Sequence, residues 1–269
     1  MPGIEPLVDG LDHPEGVCWD PDAGLLWAGG EAGQLYQVDV DARTFEEVAR
    51  APGFVLGLAV DGRGRLALCC GDHGLVCAYD GEVRVLRDGL HFPNYPAFGP
   101  DGSLYVSASG GWSANDGSVH RIAPDGGIDV VTDLVSHFPN GCAVSADGRW
   151  LWIVESYVPR LSRIDLRSGE VEELARLEGT VPDGVAFTTD GSVLVSCYRP
   201  DAILHVSPQG VIETVAEDPQ GTHLAAPTNV AFAGDRLISA NLGRWHLTLI
   251  HTELRGVPLH RPDRWAADA

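Results

Sequence analysis

The stretch Val181-Pro182-Asp183-Gly184-Val185-Ala186-Phe187 decides the fold, because the chain repeats its pattern five further times. Aligned on the third position of this stretch, the six copies give one column: Glu15, Leu56, Asn94, Asn140, Asp183 and Asn229. Successive copies lie about 40 to 45 residues apart, which is the typical length of one four-stranded propeller blade. A single blade cannot bury both of its faces, so the repeat predicts a ring of stacked blades.

Within each copy, short apolar runs alternate with turn residues. The fifth copy predicts strands at residues 184–188, 193–197, 203–206 and 211–216, and the dipeptide Asp190-Gly191 separates the first two. Asp-Gly is a strong hairpin signal because both residues tolerate a positive φ. The sequence therefore predicts an all-β, six-bladed β-propeller that forms one domain over residues 1–269.

The two ends of the repeat suggest how the ring closes. The sixth copy has no convincing fourth strand after Leu247-Thr248-Leu249-Ile250, while Glu5-Pro6-Leu7-Val8 precedes the first copy without a partner. We predict that this N-terminal segment supplies the outer strand of the last blade, which removes exposed sheet edges. The tail from His260 to Ala269 is expected to be an irregular surface segment.

Charge and composition exclude several functions. The formal charge is −20, from 38 acidic and 18 basic residues, and every basic residue is arginine. The absence of lysine excludes Schiff-base chemistry on a lysine, and the absence of a basic run makes a nucleic-acid partner unexpected. An acidic surface keeps a protein soluble and also attracts divalent cations.

The cysteines and residues 1–6 indicate the cellular compartment of the protein. None of the six cysteines belongs to a Cys-x-x-Cys pair, and most lie in apolar runs. We expect buried free thiols, with a disulfide from Cys69 or Cys70 to Cys77 as the lesser alternative. Residues 1–6 lack a basic segment followed by an apolar one, and no stretch is long enough to span a membrane. A cytoplasmic location with no membrane partner is expected.

The column residues are candidate metal ligands. In a propeller, the loops that lead into the inner strands open on one face around the central channel, so Glu15, Asn140 and Asp183 should face one another. Their oxygen atoms suit Ca²⁺, with Mg²⁺, Mn²⁺ or Zn²⁺ as alternatives. Asp or Asn before Gly is more often an ordinary turn residue. Glu15 is a poor turn former, however, and the shared register of six copies favours the metal interpretation.

The loops between second and third strands open on the same face and should form the wall of a pocket. They supply the candidate substrate-binding residues Trp112, Tyr157, Arg199 and Trp245. Trp112 lies at the centre of the glycine-rich segment 110–117, which fits a lip over a substrate or an ordinary surface loop equally well.

The order and spacing of these motifs resemble the family of senescence marker protein, gluconolactonase and luciferin-regenerating enzyme, which includes regucalcin. The resemblance covers nearly the whole chain and rests on five segments: Pro14-Glu15-Gly16, Asn140-Gly141, Ser145-Ala146-Asp147-Gly148, Pro182-Asp183-Gly184 and Thr228-Asn229-Val230-Ala231-Phe232. It implies a six-bladed propeller with a divalent ion, often Ca²⁺, held by Glu15, Asn140 and Asp183. It also implies that Asn94 contacts the substrate.

The chain departs from that family around Asn94. Sugar-lactonase members usually carry Arg two residues before this Asn and Asp-Gly after it, whereas this chain has Phe92 before it and Tyr95-Pro96 after it. Phe92 and Tyr95 thus join Asn94 as candidate substrate-binding residues, and a substrate less polar than a sugar lactone is expected.

Three functions follow from this site. The first is metal-dependent hydrolysis of a lactone or related ester, with Asp183 as the general base and Glu15 in reserve. The second is a metal-dependent cyclase, isomerase or condensing enzyme that acts on an apolar or aromatic metabolite. The third is a non-enzymatic propeller that binds Ca²⁺ or a small ligand. Fold alone does not choose among them.

Overall fold

The computed structural model describes residues 3–269, and the strands of this part form six four-stranded antiparallel sheets. Blade 1 comprises β2 (Val17–Asp20), β3 (Leu25–Gly29), β4 (Gln34–Asp39) and β5 (Thr44–Arg50). Blade 2 comprises β6 (Val55–Val60), β7 (Leu66–Cys70), β8 (Leu75–Tyr79) and β9 (Val83–Arg87). Blade 3 comprises β10 (Pro93–Phe98), β11 (Leu104–Ala108), β12 (Ser118–Ile122) and β13 (Ile128–Thr132).

The second half of the ring follows the same order. Blade 4 comprises β14 (Pro139–Val144), β15 (Trp150–Glu155), β16 (Arg160–Asp165) and β17 (Val171–Arg176). Blade 5 comprises β18 (Val181–Phe187), β19 (Val193–Arg199), β20 (Ala202–Val206) and β21 (Ile212–Glu217). Blade 6 comprises β22 (Pro227–Ala233), β23 (Arg236–Asn241), β24 (His246–Ile250) and β1 (Ile4–Asp9). Two short 3₁₀ helices, Gly71–His73 and Ala266–Asp268, complete the secondary structure of this part.

The N-terminal strand closes the ring, as the sequence predicted. Strand β1 is the outer strand of blade 6 and pairs antiparallel with β24, from Ile4 opposite Ile250 to Asp9 opposite His246. The inner strands β2 and β22 also contact each other, so the six inner strands enclose one central channel. The prediction of a six-bladed propeller closed in this way is confirmed.

The direction of the inner strands defines two faces. Each inner strand begins on one face, which we call the upper face, and turns into its hairpin on the opposite, lower face. Because the strands of a blade are antiparallel, the loops between second and third strands also lie on the upper face. The column residues and the candidate pocket loops therefore share one end of the channel.

The core lies between the blades rather than within any one of them. Each of six apolar clusters joins two neighbouring blades; between blades 3 and 4, for example, Tyr105 and Val119 pack with Leu151 and Ile153. This arrangement is what a repeat that buries its faces only by stacking requires. The assignment of residues 1–269 to a single domain stays a prediction, and its first two residues lie outside the described part.

The C-terminal tail is irregular, but the prediction that it lies on the surface is wrong for Trp265. This side chain is fully buried, packs edge-on against Phe98 with ring centroids 5.0 Å apart, and donates a hydrogen bond from Nε1 to Asp61 Oδ2 at 2.8 Å. Arg65 bridges Asp61 and Asp268 with ion pairs of 2.7 Å. The tail thus covers the lower face and packs between blades 2 and 3.

All six cysteines are buried and free, which confirms the expectation of unpaired thiols within the described chain. Burial raises the pKa of the Cys142 thiol to about 12, so this thiol is protonated near neutral pH. None of the helices in residues 3–269 is long and apolar enough to span a membrane. The cytoplasmic location stays a prediction.

Candidate functional site

Four polar column residues converge at the upper end of the channel. Glu15, Asn94, Asn140 and Asp183 are all buried, and each lies at or just before the start of an inner strand. The pKa of Glu15 is raised well above its usual value, first by burial and then by the negative charge of Asp183. The two carboxyl groups of the sequence prediction therefore lie close enough to interact.

A glycine follows the column residue in four blades because the inner strands approach one another closely there. A Cβ atom on Gly141 would lie 2.4 Å from the carbonyl oxygen of Asp183, and one on Gly184 would lie 2.6 Å from that of Thr228. Real Cβ atoms do not tolerate such distances. The glycines thus let the inner strands pack tightly enough to bring the column residues together.

The same contacts correct the column in blade 6. Gly141 in blade 4 faces Asp183 and Gly184 of blade 5. Gly184 in turn faces Thr228 and Asn229 of blade 6. Thr228 is therefore equivalent to Asp183, and Asn229 occupies the glycine position. Strand pairing agrees, because Val230 lies opposite Ser239 as Val185 lies opposite Val195. The sequence alignment that placed Asn229 in the column was wrong by one residue.

Blade 6 holds Glu15 in place across the junction with blade 1. Thr228 Oγ1 donates a hydrogen bond to the carbonyl oxygen of Glu15 at 2.7 Å. Asn229 Nδ2 donates to the same carbonyl at 3.0 Å and to the carboxylate atom Oε2 at 3.1 Å. Both blade 6 residues are therefore supports of Glu15, a role that the sequence analysis did not assign.

Asn140 is oriented in a similar way. Its Nδ2 donates to Ser156 Oγ at 3.1 Å, and Ser156 Oγ donates in turn to the carbonyl oxygen of Pro182 at 2.6 Å. These bonds fix the amide nitrogen on the blade 5 side. Its oxygen is then available to the site.

Four buried oxygen atoms at this end of the channel lack a hydrogen-bond donor within residues 3–269. They are Oδ1 of Asn94, Asn140, Asp183 and Asn229. Buried polar atoms are nearly always paired, because an unpaired one loses its hydration without replacement. A set of carboxylate and amide oxygens without donors fits a hard divalent cation such as Ca²⁺.

The protonation of Asp183 reflects the same environment. Burial raises the pKa of this carboxyl group to about 8, and the neighbouring amide of Asn140 opposes the rise. A carboxyl group buried without a cation favours its neutral form. Asp183 is therefore suited to exchange a proton for an ion near neutral pH.

Aromatic side chains form one side of the mouth above the oxygen atoms. Trp112 packs against Phe138 and Tyr157 with ring centroids 4.9 and 5.7 Å apart, and Phe92 lies 6.0 Å from Phe138. Trp112 and Tyr157 are 48% and 44% exposed, so this surface faces solvent. The sequence analysis missed Phe138, although the identical segments at residues 91–94 and 137–140 carried the signal.

The remaining candidate substrate-binding residues lie apart from this aromatic cluster. Trp245 packs against His13, 5.4 Å between centroids, at the junction of blades 6 and 1. Arg199 is exposed, pairs with Asp201 at 3.1 Å and stacks over Tyr198. Tyr95 is buried in the inner strand of blade 3 and faces a lower part of the channel. Their roles in substrate binding stay predictions.

A second group of potential ligands lies at the rim. Oxygen or nitrogen atoms of Asp12, His13 and Glu31 come within 4.8 Å of one another, but all three side chains are partly or fully exposed to solvent. His13 Nδ1 lies 3.1 Å from Asp12 and 3.2 Å from Glu31. Contacts between exposed carboxylates and an imidazole are common at protein surfaces without a metal, so this group by itself indicates none.

Comparison with known proteins identifies the family and agrees with the fold. Residues 90–239 match the family model described as the SMP-30/gluconolactonase/LRE-like region. The chain belongs to this family. Members of the SMP-30/gluconolactonase/LRE-like family are thus the appropriate comparison for its chemistry, and the resemblance noted in the sequence is confirmed.

Among its relatives are two proteins named lactonase drp35. That of Staphylococcus haemolyticus is 26% identical over an alignment of 222 residues, and the match covers 73% of this chain and 66% of the relative, so about a third of that relative lies outside it. That of Staphylococcus saprophyticus is 27% identical over 261 residues, 86% of this chain and 78% of the relative. The calcium-binding protein regucalcin of Agrobacterium tumefaciens superposes with a TM-score of 0.76 at 19% identity over 94% of both chains, which shows a shared fold.

Proposed function

We propose that this protein is a divalent-metal-dependent hydrolase of a lactone or related ester. The observation that carries the proposal is the set of four buried oxygen atoms without donors beside two interacting carboxyl groups. The lactonase names of the two staphylococcal relatives support the reaction class. The calcium-binding description of the structurally similar regucalcin supports the ion.

Glu15, Asn140 and Asp183 would hold the ion. Two carboxylates and an amide oxygen give a hard, anionic ligand set that suits Ca²⁺ best and admits Mg²⁺, Mn²⁺ or Zn²⁺. When bound, the ion supplies Lewis-acid polarisation of the ester carbonyl and makes water more acidic. Thr228 and Asn229 would keep Glu15 in position through their hydrogen bonds to it.

The side chains around this position would carry the proton transfers. Asp183, besides helping to hold the ion, would act as the general base that accepts the proton of the attacking water. Asn94, whose Oδ1 has no donor among the described residues, orients the substrate oxygen. Glu15 provides negative charge beside Asp183 and is the reserve base.

The aromatic mouth supports an apolar substrate rather than a sugar. Phe92, Phe138, Trp112 and Tyr157 present aromatic rings at the approach to Asn94 and Asn140. Such rings bury an alkyl or aryl substituent well but leave the hydroxyl groups of a sugar without partners. We therefore place alkyl- or aryl-substituted lactones ahead of aldonolactones as the substrate class.

A panel of lactones tests the function. The panel would pair sugar lactones with alkyl- and aryl-substituted lactones of equal ring size, before and after treatment with a chelator. We expect hydrolysis of the apolar members, its loss on chelation and its return when Ca²⁺ is added. Hydrolysis that persists after complete ion removal would refute the metal dependence, and no hydrolysis of any lactone would favour the cyclase or the non-enzymatic alternative.

A matched pair of variants tests the site. Asp183→Ala should abolish ion binding and lower the rate at least about a hundredfold, the usual lower range for loss of a general base. Asp125→Ala is the control, because Asp125 is an exposed turn residue on the lower face. Hydrolysis by Asp183→Ala at the rate of this control would refute the mechanism.

A further inference from the structure

A cavity of about 330 Å³ occupies the lower half of the central channel, at the end opposite the mouth. We call it the lower chamber. Each inner strand contributes one small side chain to its wall: Cys18, Ala59, Ala97, Ala143, Ala186 and Ala231. A propeller leaves a channel along its axis, and the small side chains at these six positions keep the lower half of this channel open. Its volume falls in the range of small-molecule pockets.

Tyr95 is the polar side chain that the inner strands place beside the lower chamber. Its side chain is buried, and burial raises the pKa of its hydroxyl above the usual value. A buried tyrosine hydroxyl normally has a partner. The Tyr95 hydroxyl is therefore a specific contact point for a ligand that carries one hydrogen-bonding group.

Residues 256–261, which include the first two residues of the C-terminal tail, form the floor of the chamber. They cross the lower face, where Gly256 bridges to Thr188 and His260 Nε2 contacts the carbonyl oxygen of Ser145 at 2.8 Å. Arg261 pairs with Asp20 at 2.7 Å and Asp22 at 2.8 Å. Because the guanidinium already has two carboxylate partners, the chamber offers no free charge to an ionic ligand.

We propose that the lower chamber binds a small, uncharged, largely apolar molecule that hydrogen-bonds to Tyr95. Apolar cavities smaller than this one bind benzene. A buried water molecule requires two to four polar partners, and most of this wall has none. The floor residues lie in an irregular segment, so they can admit a ligand without separation of the blades. This site is independent of the lactonase proposal, because no residue of the oxygen cluster lines it.

Fluorine NMR with para-fluorobenzyl alcohol tests the proposal, and para-fluorobenzoate is the probe of matched shape that carries a charge. We expect the wild-type protein to bind the alcohol at least about tenfold more tightly than the benzoate. Tyr95→Phe should weaken binding of the alcohol about threefold to tenfold, the range for loss of one hydrogen bond.

Variants separate the chamber from the mouth. Val257→Trp fills the chamber from its floor, and Ala143→Leu fills it from its wall, so each should abolish binding of the alcohol. Trp112→Ala, at the mouth, should leave that binding unchanged. The thermal midpoint of each variant checks that it is folded. Failure of the wild-type protein to bind the alcohol, or loss of binding in Trp112→Ala with retention in Val257→Trp, would overturn the proposal.

Discussion

Binding of Ca²⁺ should displace a proton from Asp183, and the affinity should therefore rise with pH. The pKa of this carboxyl group is about 8 without an ion, so about one molecule in a hundred carries the charged form near pH 6 and about half near pH 8. An ion that binds only the carboxylate gains about fiftyfold in apparent affinity between these values. The raised pKa of Glu15 acts in the same direction and steepens the dependence.

Isothermal titration calorimetry with Ca²⁺ measures this effect. Titrations at about pH 6, 7 and 8, each in two buffers of different ionisation enthalpy, give the affinity and the number of protons released. We expect about one proton or more per ion near pH 7. The Asp183→Asn variant should bind weakly and release fewer protons. An affinity that does not change between about pH 6 and 8, with no proton released, would refute the reasoning.

The same shift predicts how pH affects the stability of the ion-free protein. The folded pKa of Asp183 lies above the unfolded value near 4, so the folded state holds a proton that the unfolded state loses. The stability that this group contributes to the folded state is fully present below the unfolded pKa and is lost as pH rises through about 8. The thermal midpoint of ion-free protein should fall over this window, and excess Ca²⁺ should oppose the fall.

Three further variants test separate parts of the structure. Phe92→Arg makes the mouth polar, so the rate ratio of apolar to sugar lactones should fall about tenfold while Ca²⁺ affinity is unchanged; an unaltered ratio would contradict the role of the aromatic mouth. Asn229→Ala removes a hydrogen bond to the Glu15 carboxylate and should weaken Ca²⁺ binding about tenfold or more in calorimetry, unlike the exposed control Gln209→Ala. Trp265→Ala should cost about 3–5 kcal/mol in urea denaturation without altering Ca²⁺ affinity, and a loss below about 1 kcal/mol would show that the tail packing is unimportant.

The fold was predictable because its signals are local and repeated. Turn dipeptides such as Asp190-Gly191 fixed the hairpins of each copy, and the unpaired segment at Glu5 fixed the closure of the ring. The proximity of Glu15 and Asp183 followed from their equivalent positions in a closed ring. Periodicity thus determined both the architecture and the place of these two carboxyl groups.

The remaining features depend on contacts between distant segments, which periodicity does not encode. The residue at the column position of blade 6 was misassigned because asparagine was matched to asparagine, whereas backbone approach to Gly184 makes Thr228 the equivalent residue. Trp265 lies in a segment without regular structure, so nothing local indicated that it packs on Phe98. Tyr95 was named a candidate substrate-binding residue from its place beside Asn94; its buried side chain lines a lower part of the channel, and its role stays a prediction.

Closure of blade 6 by β1 also sets the order of events during synthesis on the ribosome. Strand β1 is synthesised before the five complete blades and pairs with β24, which ends at Ile250, so it has no partner until those blades have been translated. Such a distant pairing is slow to form and leaves sheet edges exposed in the meantime. A nascent chain that stalls within β23 retains five complete blades but cannot close the ring, and we expect it to aggregate or to require a chaperone.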